Sequence, residues 1–231
     1  MNDFIKVSPL KLLEMSSGDG LGKGNLGVLM ARAGVGKTAC LIHIAFDMLF
    51  RKKRLVHVSL EDTPEKVTSY YNVIFSDLVK ALDIRDETEG RFLLERNRMI
   101  LAYLNNSFEI NRFRKNLKNL KEQVDFNAEI LIVDGLDFEK VDTETMEGFK
   151  KVAEEFDVEI WFSALSHRHI KDKNEMGIPY PCNRVDEFLS VIIQLDPGES
   201  GILLRLIKDH GNEVKKDSSI RLDPNTFLAS L

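Results

Sequence analysis

The sequence predicts an α/β fold with a mostly parallel, twisted sheet flanked by helices and with antiparallel strands at the C-terminal end. Short apolar runs of strand length alternate with longer segments of helical periodicity along the 231-residue chain. The last part of the chain instead holds closely spaced apolar runs, which are typical of hairpins. We therefore expect one sheet that is parallel first and antiparallel near its end.

The composition is that of an ordinary globular protein, with 43% hydrophobic and 30% charged residues. No apolar run approaches the roughly 20 residues that span a bilayer, and the first residues lack the pattern of a signal peptide. The net charge of −5 argues against broad non-specific adhesion to nucleic acid. Cys40 and Cys182 lie outside any CxxC motif, which indicates reduced thiols. We expect a cytoplasmic protein with no membrane partner.

We expect residues 1–231 to form a single domain, because this length suits one sizeable α/β unit. Residues 1–24 are interpreted as a leader that ends in a glycine-rich turn. Residues 64–124 are interpreted as an enlarged helical segment between the second and third strands. Its periodicity predicts three helices, broken near residues 83–88 and 105–111.

The first half of the chain predicts its elements in a clear order. Leu26–Met30 is an apolar strand, and Lys37–Phe50 has the spacing of a helix with one buried face. Arg54–Leu60 alternates as a second strand. Thr63 and Pro64 then suit the N-cap and first turn of the next helix.

The second half predicts further strands around one helix. Ala128–Asp134 is a strongly apolar run that suits a strand buried on both faces. Thr143–Phe156 predicts a helix, and Val158–Leu165 another strand. After a polar loop over residues 168–183, the runs FLSVIIQL, GILLRLIKD and SIRL predict strands at the end of the sheet.

The stretch ARAGVGKTAC, Ala31–Cys40, predicts a phosphate-binding loop. Glycines allow successive backbone N–H groups to point at a phosphate, and the following helix N-terminus adds partial positive charge. Lys37 can reach the β- and γ-phosphates, and the Thr38 hydroxyl can bind Mg²⁺. Ala31 stands where the usual pattern has glycine. The predicted nucleotide contacts are Ala33, Gly34, Val35, Gly36, Lys37, Thr38 and Ala39.

Acidic residues at two strand ends complete the predicted site. Asp134 closes a buried strand, where a carboxylate can support Mg²⁺. Glu61 follows the second strand, and neighbouring parallel strands share one rim, so Glu61 can orient an attacking water. A solvated turn acid is the alternative interpretation of Glu61. Asp62 suits a helix cap, and Asp137 could compete with Glu61 as the base.

These residues resemble the RecA-like P-loop ATPases, and especially the branch of KaiC and the DnaB-type replicative helicases. The resemblance rests on GDGLGKGNLGVLMARAGVGKT, HVSLED, EILIVDGLD, WFSALSHR and LLRLIKDHGNE, spread over about residues 17–213. It implies a RecA-type sheet, Mg²⁺-dependent ATP binding, hydrolysis at Glu61 and assembly into a ring or filament.

The resemblance also implies roles for residues outside the loop. Lys208 and His210 would come from one subunit to touch the γ-phosphate bound by the next, although the family pattern there is Lys-x-Arg. Helicase relatives commonly carry glutamine where this chain has Ala164. The nearest polar groups, which are candidates for sensing the γ-phosphate, are Ser163, Ser166 and His167.

Basic residues leave nucleic acid open as a partner. One group lies on the enlarged segment, and its alternative is a solvated helix face. Its members are Arg91, Arg96, Arg98, Arg112, Arg114, Lys115, Lys118 and Lys121. A second group lies in the polar loop and comprises Arg168, His169, Lys171, Lys173, Tyr180 and Arg184.

We expect a protein that binds ATP or ADP with Mg²⁺ and hydrolyses ATP slowly, as a KaiC-like conformational switch in a homo-oligomer. Two alternatives stay open. One is an ATPase that depends on single-stranded DNA, either a helicase core or a recombination mediator. The other is a nucleotide sensor without turnover. ATP rather than GTP rests on the resemblance, since the chain has no Asn/Thr-Lys-x-Asp guanine motif.

Overall fold

The computed structural model shows a central sheet with helices on both faces. It describes residues 2–16, 18, 20–104, 107–167, 170, 172–198, 201–215 and 217–230. The helices of these ranges are α1 (Asn2–Lys6), α2 (Lys11–Ser16), α3 (Lys37–Phe50), α4 (Pro64–Ala81), α5 (Thr88–Arg96), α6 (Ile110–Gln123) and α7 (Thr143–Phe156). Two short 3₁₀ turns cover Cys182–Arg184 and Asp186–Phe188.

The described strands form one sheet in the order β3-β2-β4-β5-β1-β6-β7-β8-β9. Their bounds are β1 (Leu26–Ala31), β2 (Leu55–Ser59), β3 (Arg98–Ala102), β4 (Ile130–Asp134), β5 (Glu159–Leu165), β6 (Leu189–Gly198), β7 (Gly201–Asp209), β8 (Ser219–Leu222) and β9 (Ala229–Ser230). Pairing is parallel from β3 to β6 and antiparallel from β6 to β9. The predicted fold class is confirmed.

Two apolar layers enclose the sheet. One joins α3, α4 and α5 to one face, and the other joins α6 and α7 to the opposite face. The central strands β1 and β5 are almost wholly buried, as their continuous apolar sequences predict. Thr63 caps α4 by accepting a hydrogen bond from Lys66 N at 3.4 Å, and Asp142 caps α7 in the same way. No helix in the described ranges combines the length and apolarity that crossing a bilayer requires.

One part of the enlarged segment was predicted wrongly. Arg98–Ala102 is not helical but forms β3, a parallel edge strand in register with Leu55–Ser59. A run of five mostly apolar residues fits either a strand or a helix turn. Its conformation is decided by the backbone groups of β2, which lie far away in sequence. The strand that ends at Asp134 is therefore fourth along the chain.

The predicted leader holds more structure than a turn. Helices α1 and α2 lie within it, and Phe4, Leu12 and Leu13 are buried in the core. These helices are short, so their periodicity carries little signal. Phe4 packs edge-on against Phe50 at 5.3 Å between ring centroids, which fixes the segment against α3.

His57 in β2 is a buried titratable group. Its side chain is 1% exposed, and Nδ1 lies 3.1 Å from the hydroxyl oxygen of Tyr71. Burial, helped by the charge of Arg98, lowers the pKa of His57 to about 4. The folded protein therefore holds this imidazole neutral at pH values where an unfolded chain would protonate it.

This burial predicts that stability falls as the pH drops from about 6.5 towards 4, because the unfolded chain binds the proton first. We expect His57 to add about 1.4 kcal/mol per pH unit to the slope of unfolding free energy against pH. Urea denaturation between about pH 7 and about pH 5 measures that slope. His57→Gln should be shallower by about this amount. Buried His43 supplies the remaining histidine slope, and an unchanged slope in His57→Gln would contradict the assignment.

Candidate functional site

The predicted phosphate loop connects the buried strand β1 to helix α3. Gly34 and Gly36 have φ values of 77° and 96°, in the left-handed region that favours glycine. Gly36 N-caps α3, and its carbonyl accepts the first helical hydrogen bond from Cys40 N at 2.9 Å. Since glycine has no side chain to cap the helix, the first N–H groups of α3 are available to an anion.

The two glycines differ in their surroundings. A methyl group built on Gly34 would meet no described atom within 4 Å, so the loop is open there. A methyl group on Gly36 would lie 2.1 Å from Cζ of Phe227, so the other side of the loop is filled by the C-terminal part of the chain. Ala33 is exposed, while Lys37 and Thr38 are half-buried. The loop therefore has one open side that can receive a ligand.

Thr38, Asp134 and Ser163 form a hydrogen-bonded cluster at the rim of the sheet. Thr38 Oγ1 donates to Asp134 Oδ2 at 3.0 Å, and buried Ser163 donates to the other carboxylate oxygen. The N–H of Gly135 in turn donates to Ser163 Oγ at 3.4 Å. Both carboxylate oxygens are therefore held in place beside the phosphate loop.

This cluster has the chemistry of a magnesium site. Mg²⁺ prefers oxygen ligands, and it commonly takes one carboxylate together with phosphate oxygens and waters. The Thr38 hydroxyl and Asp134 carboxylate lie together where the loop can hold phosphates, so the residues present fit such an ion. A bound Mg²⁺ would neutralise part of the phosphate charge.

Glu61 lies beside this cluster, on the exposed turn after β2. A methyl group on Gly135, which has φ 90°, would lie 2.8 Å from Cγ of Glu61, so the two residues are in contact. Glu61 also lines an open groove of about 510 Å³ with Tyr103, Phe108 and residues of the turn after β4. The structure thus places Glu61 next to Asp134's neighbour, at the predicted rim.

The competing acids are engaged locally. Asp62 accepts from Lys66 Nζ at 2.6 Å, and its own N–H donates to Ser59 Oγ, as a capping residue would. Asp137 accepts from Lys140 Nζ at 2.8 Å, and this hydrogen bond lowers the pKa of Asp137. Both carboxylates are therefore held by contacts that stabilise turns.

The three sensor candidates separate in space. Ser163 belongs to the cluster around Asp134. Ser166 N donates to the carbonyl of Ala31 at 2.9 Å, a contact that extends the sheet. The Nε2 atom of His167 contacts the carboxylate of Glu139. Only Ser163 among these candidates makes a described hydrogen bond to Asp134.

Lys208 and His210 are engaged within their own subunit. Lys208 Nζ donates to the carbonyl of Asp186 at 2.6 Å. The ring nitrogens of His210 lie 2.8 Å from Asp209 Oδ1 and 3.0 Å from the carbonyl of Leu21. No described contact joins either residue to the cluster. Distant carbonyl partners of this kind leave no signal in the sequence.

Several basic groups of the enlarged segment are engaged within the chain. Arg114 donates to both carboxylate oxygens of Glu155, one of them at 3.0 Å. The guanidinium of Arg98 lies 4.2 Å from the ring centroid of Tyr71, and burial lowers its pKa. Arg91 pairs with Glu87 at 3.0 Å.

The polar loop offers fewer described bases. Arg184 donates to the carbonyl of Glu139 at 2.6 Å, while Lys173 is exposed and Tyr180 is half-buried. Arg168, His169 and Lys171 lie outside the described residues.

Sequence reasoning missed two features of the site. Gly135 was not singled out, although a glycine directly after a strand-end aspartate is a signal for a tight, left-handed turn. Phe227 was also missed, because its contact with Gly36 joins opposite ends of the chain.

A glycine-rich loop between a central parallel strand and a helix, in a sheet of this order, defines the class of RecA-like NTPase folds. No protein-family profile and no curated protein sequence matches the chain. Among solved structures, the chain is similar to the ATPase domain of a DnaB-like helicase, with a TM-score of 0.69 and 15% sequence identity. The match covers 96% of this chain and 90% of that chain. At this identity the likeness establishes the RecA-like fold.

The contact between Gly135 and Glu61 yields a prediction. Gly135→Ala should lower the free energy of unfolding by about 1–2 kcal/mol for the left-handed backbone and about 1–3 kcal/mol for the overlap with Glu61. Gly177→Ala is the matched control, because its φ is 78° and no described atom lies within 4 Å of the added methyl. Urea denaturation should show the larger loss for Gly135→Ala. Adding Glu61→Ala should recover the difference, and no recovery would refute the contact.

Proposed function

We propose that this protein binds ATP with Mg²⁺ and hydrolyses it slowly, as a conformational switch in a homo-oligomer. The observation that carries the proposal is the hydrogen bond from Thr38 Oγ1 to Asp134 Oδ2 at 3.0 Å. It joins the two oxygen groups that a magnesium nucleotide requires at the end of a glycine-rich phosphate loop.

Each residue of the cluster has a distinct proposed role. Lys37 pairs with the terminal phosphates, and the backbone N–H groups of residues 33–39 receive phosphate oxygens. Thr38 and Asp134 hold the metal, and Ser163 fixes the Asp134 carboxylate. Glu61 orients the attacking water, which is a role for an acid beside the phosphate site. ADP would occupy the same loop after hydrolysis.

Slow turnover is supported by the contacts of Lys208 and His210. Help from a neighbouring subunit would require these side chains to leave Asp186, Asp209 and Leu21. The rate would then depend on Glu61 alone, whose side chain is exposed beside an open groove. Water has free access to such a base, so its electrostatic effect is weak.

The same contacts favour a nucleotide sensor without turnover as the second candidate. In that function the loop binds ATP or ADP, and Ala164 and His210 replace groups that the resemblance associates with catalysis. The switch is preferred because Glu61 contacts Gly135, directly after the metal-site aspartate.

Use of ATP is supported by the similar solved structure, which is an ATPase domain. Oligomer formation rests on the sequence resemblance. A function that depends on single-stranded DNA is less favoured, because Arg91, Arg98 and Arg114 are engaged by Glu87, Tyr71 and Glu155. Phosphate contacts of such a protein would need free cations.

Lys37→Ala should weaken Mg-ATP binding by at least about a hundredfold, because a charge-assisted contact to phosphate is lost. Isothermal titration calorimetry measures the dissociation constant. Lys80→Ala, an exposed lysine change on α4, is the control and should bind like the wild type. Equal ATP affinity in Lys37→Ala and the wild type would defeat the nucleotide-site assignment.

Glu61→Gln should lower steady-state ATP hydrolysis by about a hundredfold or more, while Mg-ATP affinity stays within about threefold. Glu95→Gln, on the exposed side of α5, should keep the wild-type rate.

Single-stranded DNA added to the same assay separates the alternatives. A rate that ignores DNA supports the switch, and acceleration by DNA would favour the DNA-dependent motor. Binding of Mg-ATP with no measurable turnover in the wild type would favour the sensor.

A further inference from the structure

Phe227 fills the inner side of the phosphate loop. Its side chain is 9% exposed, and its ring tip lies so close to Gly36 that a methyl group there would be 2.1 Å from Cζ and 2.9 Å from Cε1. Both distances are shorter than real carbon contacts allow. Gly36 therefore lacks a side chain for two reasons, its φ of 96° and the ring of Phe227.

The tail, residues 223–230, holds this ring in a defined position. Phe227 N donates to the carbonyl of Asp223 at 2.8 Å, and Asp223 N donates to the carbonyl of Leu228 at 2.9 Å. The Asp223 carboxylate accepts from the N–H groups of Asn225 and Thr226, at 2.9 and 2.8 Å. Hydrogen bonds from Thr226, followed by that of Asn225, lower the pKa of Asp223, so the turn holds a charged acceptor at neutral pH.

A column of rings supports Phe227 from behind. His43 of α3 stacks on Phe227 with 5.8 Å between ring centroids, and Phe4 of α1 stacks on His43 at 5.9 Å. Burial lowers the pKa of His43 to about 3, so this imidazole is neutral and packs as an apolar ring. Ala229 N donates to the carbonyl of Val7 at 2.7 Å, which joins the tail to the N-terminal segment.

We propose that Phe227 is a positioning residue that holds the phosphate loop in its binding conformation. The proposal rests on the nucleotide site proposed above. The loop is open at Gly34 but braced at Gly36, so the brace determines whether the backbone N–H groups keep one arrangement. A loop that must be ordered on binding loses affinity by the cost of that ordering.

The positioning role is reciprocal. If the docked tail favours the conformation that binds phosphate, a nucleotide bound to the loop must favour the docked tail by the same factor. Mg-ADP should therefore slow amide hydrogen exchange in residues 223–230, which are remote from the open side of the loop.

The test compares three variants of the full chain. Phe227→Ala removes the brace, and Phe227→Leu keeps an apolar side chain in the same place. Phe126→Ala is the control, because Phe126 is 6% exposed and lines a cavity with Leu120 and Phe156, away from the phosphate loop. Urea denaturation first establishes how much stability each variant loses.

We expect Phe227→Ala to raise the dissociation constant of Mg-ADP by about tenfold or more, with Phe227→Leu within about threefold of the wild type. Phe126→Ala should lose similar stability but bind Mg-ADP within about twofold of the wild type. Without nucleotide, hydrogen exchange of the amides in residues 33–39 should be faster in Phe227→Ala alone. A local change of this kind is not expected from a general loss of stability.

Wild-type Mg-ADP affinity and unchanged exchange of residues 33–39 in folded Phe227→Ala would overturn the positioning role. Equal loss of affinity in Phe126→Ala would do the same. If Phe227→Ala does not fold, Phe227→Leu and Phe227→Val replace it, and exchange should become faster as the side chain shortens. If the wild type binds no Mg-ADP, the proposed nucleotide function fails, and hydrogen exchange of residues 33–39 decides the brace by itself.

Discussion

The hydrogen bond between Thr38 and Asp134 is the interaction on which the arrangement of the site depends. It connects the first turn of α3 to the end of β4, so the phosphate loop is fixed relative to the centre of the sheet. Such a bond keeps its length only if both elements are rigid. Every residue from Cys40 to Phe50 is buried, and β4 is buried up to Val133. The packing of two apolar layers thus determines the geometry of a polar cluster at their edge.

Much of the fold could be predicted because local sequence and tertiary structure agree. Lys37–Phe50 and Thr143–Phe156 form helices with the predicted bounds, since periodicity and capping residues point the same way. Arg98–Ala102 could not be assigned, because a short apolar run takes its conformation from the strand beside it. Helices α1 and α2 were missed since each is too short to show a period and forms through burial against α3.

The predictability of the site follows the distance in sequence over which its contacts form. The positions of Thr38 and Asp134 followed from a loop motif and a strand end, which are local patterns. Glu61 was expected at the shared rim, but its contact with Gly135 required coordinates. Local charge patterns could not show that Arg114 is matched by Glu155 or that Lys208 is bonded to a carbonyl. A basic run on a helix therefore says little about partners until its own neighbours are known.

The brace on the phosphate loop has a consequence for synthesis. Residues 31–38 leave the ribosome early, whereas Phe227 emerges much later. Strand β1 likewise needs β6 beside it before it is an interior strand. A nascent chain that has completed only its first half therefore carries the phosphate motif without its inner support. Competence to hold a ligand is acquired late, when segments far apart in sequence close on one another, so truncated translation products would carry the motif without the site.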